Sequence, residues 1–250
     1  MGYAPYRVVE LCQQIEASIA SLALIRGDDA KALEQRKQAR NNVTYCAGVL
    51  GHFVADLSNP HHTTIHYNGW KGDNPKGFPT DRRTHWRFES AFVERVKADI
   101  KVVVSADTRT DIDYTREVWG LVVESNGLVP HLFQLDKDGA FAEGNEKNEI
   151  GLKGLAFAQS RMIRSATLLR DMWATACARG KRRGRSESLK ADIKSAFTDA
   201  GLDLRVSVTL ERFVKVWGEI GTPQAGERAR EVVASFDDVT GSEFNLRTLY

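Results

Sequence analysis

Residues 51–70 read GHFVADLSNPHHTTIHYNGW and hold four of the chain's six histidines. The first half of this stretch continues an apolar stripe at helical spacing, formed by Ala39, Val43, Cys46, Leu50, Phe53 and Leu57. The stripe stops near Asn59-Pro60, because a proline disfavours helical backbone in the residue before it. Residues 63–80 are rich in Gly, Asn, Pro and Asp without periodicity. The sequence therefore predicts a helix that ends in a long loop.

Helical spacing marks most of the chain before residue 180. An apolar stripe predicts a helix over residues 5–25, and a third helix is expected to begin at Thr80-Asp81, a suitable N-cap region. Residues 111–135 and 150–179 show the same periodicity. The sequence thus predicts an all-helical domain over residues 1–180.

The pattern changes at GKRRGR, residues 180–185, a short glycine-flanked basic run that fits a linker. Beyond it we predict a helix at 189–200, strands at 204–210 and 213–220, a helix at 223–236 and a strand at 243–249. The strands rest on the alternation in LRVSVTL and FVKVWGEI. The predicted fold class is mainly α, with an all-helical domain followed by a small α+β domain over 186–250 in the order αββαβ.

Composition limits the functional classes. With 250 residues, 42% of them hydrophobic, and a net charge of +2, the chain is expected to form a globular protein of two domains. The near-neutral charge gives no field that would attract a polyanion. The three cysteines lack CxxC spacing, so neither a disulfide framework nor a thiolate zinc site is indicated. The N-terminus has no apolar signal region, which as written predicts a cytoplasmic protein unless a leader precedes it.

Two histidine–carboxylate pairs suggest a metal site. His52 and Asp56 are four residues apart on the second helix, and His85 and Glu89 repeat this spacing on the third. We expect both pairs to face the interior, since each shares a stripe with apolar residues. His62, just after Pro60, is expected to turn back toward them. A single His four residues before an acid is more often a surface pair, which is the alternative.

His62, His85 and Glu89 would supply two nitrogens and one oxygen, the ligands of an open hydrolytic zinc site. His52 and Asp56 would hold a second metal or orient the first ligands.

The remaining histidines of the stretch receive other predictions. His61 is expected to face solvent, because it is adjacent to His62. In the loop, His66, Tyr67 and Trp70 are candidates for contacts with substrate, and packing of the loop is the alternative for them.

His52, Asp56, Pro60 and His62, followed by His85 and Glu89, resemble the ligand pattern of the zinc-dependent phospholipase C family. Single-strand nucleases share its all-helical fold. The resemblance implies phosphodiester hydrolysis at clustered zinc (Zn2+) ions, with His52 and a bridging Asp56 in a two-metal site and the last three ligands on the remaining zinc. Zinc would bind the phosphodiester oxygens and activate a water.

The family also uses a Trp, two histidines and an Asp upstream of the HxxxD helix, and none of these has a counterpart before His52. The resemblance therefore implies either that an N-terminal segment is missing from the sequence, which we favour, or that the protein keeps only part of the metal cluster. It implies one zinc for this form and up to three with such a segment, and it implies a secreted, periplasmic or envelope location.

Residues 186–250 resemble a BON domain, a small module associated with phospholipid membranes in bacterial envelope proteins. The resemblance rests on the αββαβ order, on Gly218 in VKVWGEI, and on AREVVASFDDVTGSEFNLRTL. It implies a membrane surface as partner for residues 181–250, to which the basic run of Lys181, Arg182, Arg183 and Arg185 would be attracted. The alternatives are an exposed linker for the run and close packing for Gly218.

Three functional hypotheses follow. The first is a zinc-dependent phosphodiester hydrolase acting on phospholipid or another phosphodiester. The second is a non-catalytic envelope or adaptor protein with a remnant metal site. The third is a single-strand nuclease, which the near-neutral net charge disfavours.

Overall fold

A computed structural model of the chain describes residues 2–248 and confirms that the protein is mainly helical. The α-helices before the sheet are α1 (Ala4–Leu22), α2 (Ala30–Ser58), α3 (Thr84–Trp86), α4 (Val93–Val96), α5 (Tyr114–Gly127), α6 (Val129–Lys137) and α7 (Glu149–Asp199). A short 3-10 helix (Pro60–Thr63) follows α2, and a π-helix (Arg87–Phe92) joins α3 to α4. Over residues 2–248, none of the helices combines the length and the apolar character that crossing a membrane requires.

The chain forms two compact units, each built from two segments. The first contains the residues up to 13 together with 45–175, and the second contains 14–44 together with the residues from 176 onward. That residues 1–180 and 186–250 are separate domains stays a prediction.

One core cluster of the first unit surrounds the α3–α4 segment. Phe88, Phe92 and Val96 are spaced by four residues and are buried, and they pack with aromatic residues that include Phe141 and Phe157. Helix α3 begins at Thr84 rather than at Thr80-Asp81. The Asp81 carboxylate instead accepts the backbone N–H of Arg83 at 3.0 Å, so it stabilises the turn before the helix.

The predicted linker at residues 180–185 is wrong, because these residues lie inside α7. A Cβ atom on Gly180 would stand 2.8 Å from both the Glu16 carbonyl oxygen and the Ile19 Cβ of α1. On Gly184, one turn later, it would stand 2.9 Å from the Ala20 carbonyl oxygen. The two glycines therefore permit close packing of α7 on α1, and the basic side chains between them are exposed.

Gly180→Ala is expected to lower stability by about 1–3 kcal/mol, because its Cβ overpacks a contact with backbone. Gly120→Ala is the matched control, since a Cβ there meets nothing within 4 Å. The control should gain up to about 1 kcal/mol from helix propensity. Urea unfolding measures both variants, and equal shifts of the same sign would contradict the close packing.

The second unit contains a three-stranded sheet, and its element order after α7 is the predicted one. The elements are β1 (Arg205–Val208), β2 (Phe213–Ile220), α8 (Pro223–Ala234) and β3 (Gly241–Thr248). Strand β2 is central, antiparallel to β1 and parallel to β3. Val214, Val216 and Ile220 of β2 are buried in one core cluster with residues of α7 and α8, whereas the alternating Lys215, Trp217 and Glu219 are exposed.

Gly218 of β2 has φ +152°, and a Cβ there would lie 2.9 Å from Leu204 Cδ2. Close packing therefore accounts for this glycine.

Candidate metal centre

Three of the predicted ligands converge on one point of the first unit. The Nε2 atom of His85 lies 2.6 Å from Glu89 Oε2, and His62 Nε2 lies 3.0 Å from the same oxygen. One ligand atom from each residue lies within 4.8 Å of the other two. Within the described part of the chain, these residues form the one such group of three or more His, Cys, Asp or Glu side chains.

The local backbone explains the convergence. Asn59 follows α2 directly and is the N-cap of the 3-10 helix, and its side-chain oxygen accepts the His61 N–H at 3.1 Å. Pro60 occupies the first turn, so the chain reverses at once and carries His62 back. His85 and Glu89 are on consecutive turns of the α3 and π-helical segment. A π-turn inside a helix is frequent at functional sites.

The donor set fits a zinc ion. Two imidazole nitrogens and one carboxylate oxygen are the protein ligands of open catalytic zinc sites, in which the fourth position holds water. Bond lengths of about 2.0–2.2 Å place neighbouring ligands of a tetrahedral zinc roughly 3.4 Å apart. The hydrogen-bonded atoms would therefore separate by less than an ångström to admit the ion. Glu89 is 46% exposed, which leaves a path for the ion and for water.

Without a metal, the cluster is a carboxylate held by imidazole donors. The hydrogen bonds from His62 and His85 hold the pKa of Glu89 far below its usual range. The same hydrogen bond from His62 to Glu89 raises the pKa of that histidine. Zinc binding would have to displace the protons from both Nε2 atoms.

Two residues that the sequence analysis missed orient the cluster. Asn59 Nδ2 donates to Glu89 Oε2 at 2.7 Å, so the amide fixes the carboxylate from a third direction. Arg87, inside the π-helix, donates to both carboxylate oxygens of Asp136 at 2.6 and 2.7 Å. That bidentate pair ties the segment bearing His85 and Glu89 to α6. In the sequence, Asn59 before Pro60 indicates only the end of a helix.

Asn59→Ala is expected to weaken zinc binding by about 10- to 100-fold, the usual cost of losing a partner of a metal ligand. Competition with a chromophoric chelator measures the affinity. The control is Asn126→Ala, because Asn126 Nδ2 donates to the Thr63 carbonyl at 2.7 Å and steadies the same 3-10 helix without touching Glu89. Equal losses of zinc affinity in both variants would show that Asn59 only stabilises the 3-10 helix and does not orient Glu89.

The expectation that His52 and Asp56 face the interior is wrong for His52, whose side chain is 70% exposed. The buried face of α2 is centred on Leu50, Val54 and Leu57, and residue 52 lies about 200° around the helix from residue 50. His52 Nε2 contacts Asp56 at 3.3 Å, which is the surface pair of the alternative interpretation. Neither residue belongs to the group of three ligands described above.

The prediction that His61 faces solvent is also wrong, because its exposed fraction is 2%. Its ring stacks on that of His85, with centroids 5.2 Å apart, and contacts Phe133 edge to face. A 3-10 helix has three residues per turn, so adjacent side chains diverge by about 120° and one of two histidines points inward. Burial lowers the pKa of His61 to about 3.

The loop residues proposed for substrate contact form an aromatic cluster. The rings of His66 and Trp70 stack at 3.9 Å, and Trp70 also contacts Phe78. Tyr67 is exposed, and the Lys71 ammonium lies 4.9 Å from its ring centroid. These contacts favour loop packing for His66 and Trp70, while a role of the three residues in substrate binding stays a prediction.

Two cavities border the candidate centre. One, of about 190 Å³, is lined by Glu89, Asn59, Asp56 and the buried Arg161, among others. Arg161 Nε donates to the Ser58 carbonyl at 3.0 Å, and its Nη2 donates to Glu124 at 2.7 Å. The other, of about 310 Å³, adjoins His62 and is mostly apolar, with Pro5, Leu57, Ile65, Trp119 and Val122 in its wall.

Comparison of the chain with protein-family models, with curated proteins and with solved structures gives no match. The phospholipase C resemblance therefore rests on the ligand pattern, and the BON resemblance rests on the element order with its sequence features.

Proposed function

We propose that the chain is a zinc-dependent phosphodiester hydrolase in which His62, His85 and Glu89 hold one zinc. The observation that carries the proposal is the convergence of both imidazole Nε2 atoms on a single oxygen of Glu89. These ligands come from two helical segments separated by a loop, and they resemble a phospholipase C ligand set in their order along the chain.

Each residue would have a defined task. His62 and His85 would donate neutral Nε2 atoms to the metal, and Glu89 would add a negative oxygen kept in place by Asn59. Asp56 lines the cavity that also contains Glu89, so we assign it the role of proton acceptor for the attacking water. Bound zinc would supply Lewis acidity and would lower the pKa of that water to near neutrality.

The wall of the 310 Å³ cavity supports an ester with an apolar part. Its apolar residues adjoin His62, so an acyl or aromatic group would be desolvated beside the metal. The near-neutral net charge offers no comparable support for a nucleic acid. We therefore rank phospholipid-like diesters above single-stranded DNA.

For the second unit, we propose phospholipid association through residues 181–250, as in a BON domain. The order αββαβ and the exposed basic residues of α7 at 181–185 support this assignment.

A second candidate is a protein whose zinc is structural. It is favoured by His52 and Asp56, which form a surface pair and lie outside the group of three ligands in the described part of the chain.

The test is metal analysis followed by an assay of the zinc-loaded chain. We expect one zinc per chain, and hydrolysis of a phosphocholine ester in preference to single-stranded DNA. Zinc without hydrolysis of either substrate would favour the structural candidate. Activity on DNA alone would reverse the ranking of substrates, and failure to bind zinc would overturn the proposal.

A further inference from the structure

Strand β3 presents a long open edge in the second unit. It pairs with β2 along all eight of its residues, and no strand in the described residues pairs with its other side. The sequence of β3, GSEFNLRT, contains no proline. A long edge without proline offers a row of backbone donors and acceptors to another strand.

The side chains of β3 alternate in a way that favours one particular partner. Glu243, Asn245 and Arg247 are exposed, whereas Phe244 and Leu246 are half-buried and pack against the core cluster. Glu243 and Arg247 are equidistant from Asn245 and opposite in charge. An antiparallel copy of β3 centred on Asn245 would therefore place each Glu243 opposite an Arg247, and each Phe244 opposite a Leu246.

The charges of β2 extend this match across four strands. Lys215 is paired with Glu243 in the sheet register, with Nζ 3.3 Å from the carboxylate, and Glu219 is paired with Arg247. In the joined sheets, one row would read Lys215 and Glu243 of the first copy, then Arg247 and Glu219 of the second. The charges alternate in sign along this row of four residues. The twofold axis generates a second, equivalent row.

Other registers lose this match. Centring the pair on Glu243 or on Arg247 would place two like charges directly opposite each other, which is destabilising. Shifting the register by a single residue would turn the second sheet over. The apolar face of the second sheet would then lie on the same side of the joined sheet as the exposed face of the first.

We propose that the protein forms a twofold dimer in which the β3 edges of two copies pair antiparallel about Asn245. The two three-stranded sheets then become one sheet of six strands. The twofold symmetry makes the interface self-complementary, since the same edge supplies both halves. The proposed interface lies in the second unit and includes none of the candidate metal ligands.

Sedimentation equilibrium of the full chain tests the dimer. The wild type is expected to show twice the 27.9 kDa chain mass, with a dissociation constant that rises with salt. Glu243→Arg and Arg247→Glu should each be monomeric, because each places like charges opposite one another twice. A monomeric wild type across the concentration series would overturn the proposal.

Mixing gives a sharper test with the same two variants. An equimolar mixture of Glu243→Arg with Arg247→Glu should form a heterodimer, since every facing pair again has opposite signs. The double variant that exchanges both charges should recover the homodimer. Arg205→Glu, on β1 at the far edge, should stay dimeric, and far-UV circular dichroism checks folding. A mixture that stays monomeric, or single variants that stay dimeric, would refute the pairing.

Discussion

Glu89→Ala is expected to abolish stoichiometric zinc binding. The substitution removes the one carboxylate of the ligand group and leaves two imidazoles, so affinity should fall by more than about 100-fold, beyond the cost of losing an outer partner. Zinc should also stop raising the melting temperature, because stabilisation by a ligand depends on its affinity for the folded state. Equilibrium dialysis and thermal unfolding with and without zinc measure the two effects.

Glu94→Ala is the matched control for this experiment. Glu94 is an exposed acid on the same helical segment, in α4, and it is paired with Lys97. It should keep full zinc content and a normal response of melting temperature to zinc. If Glu89→Ala retains the metal, Glu89 is no ligand and the hydrolase proposal fails with it.

The three converging ligands could be predicted because their signals are local. A spacing of four residues places His85 and Glu89 on one side of a helix. A proline after a helical stripe predicts that the chain reverses direction there, which brings His62 back toward the other two ligands. The partner of Glu89 could not be found in this way. Asn59 carries the signal of a helix stop, and its hydrogen bond to Glu89 crosses thirty positions of the chain.

The errors at His52 and His61 have a common cause. In each case the direction of the side chain is inferred from an adjacent residue rather than from its angle around the helix. His52 is next to Phe53 of the stripe but lies about 200° around α2 from the buried Leu50, so it faces solvent. His61 lies in a 3-10 helix, which has three residues per turn and therefore directs adjacent side chains to different sides. The segment is too short for this periodicity to be recognised in the sequence.

The glycines at 180 and 184 show the ambiguity of one residue type. Glycine beside basic residues is typical of linkers, yet the same spacing of four allows two helices to approach closely. The choice depends on whether the backbone of another helix lies opposite the glycines, here that of Glu16 and Ala20 in α1, and the sequence near residue 180 does not show this. The αββαβ order was easier to predict, because alternation and turn residues are encoded within each element.

Arg87→Ala is expected to lower stability by about 3 kcal/mol, because it leaves the Asp136 carboxylate, whose side chain is 4% exposed, without its bidentate partner. Asp81 also loses a partner, since Arg87 donates to both of its oxygens at 3.1 Å. Zinc affinity should fall as well, as the π-helical segment loses its tie to α6. Urea unfolding and chelator competition measure these changes.

Two control variants distinguish the loss of the buried Arg87–Asp136 ion pair from a general effect of removing a positive charge. Arg82→Ala removes an exposed arginine close by and should change stability by less than about 0.5 kcal/mol. Arg87→Met combined with Asp136→Leu should recover most of the lost stability, because apolar residues of similar size can replace a buried ion pair. Recovered stability with persistently weak zinc binding would show that Arg87 orients the ligand segment, beyond holding the fold. An Arg87→Ala variant with the same free energy of unfolding as the wild type would contradict the burial of Asp136.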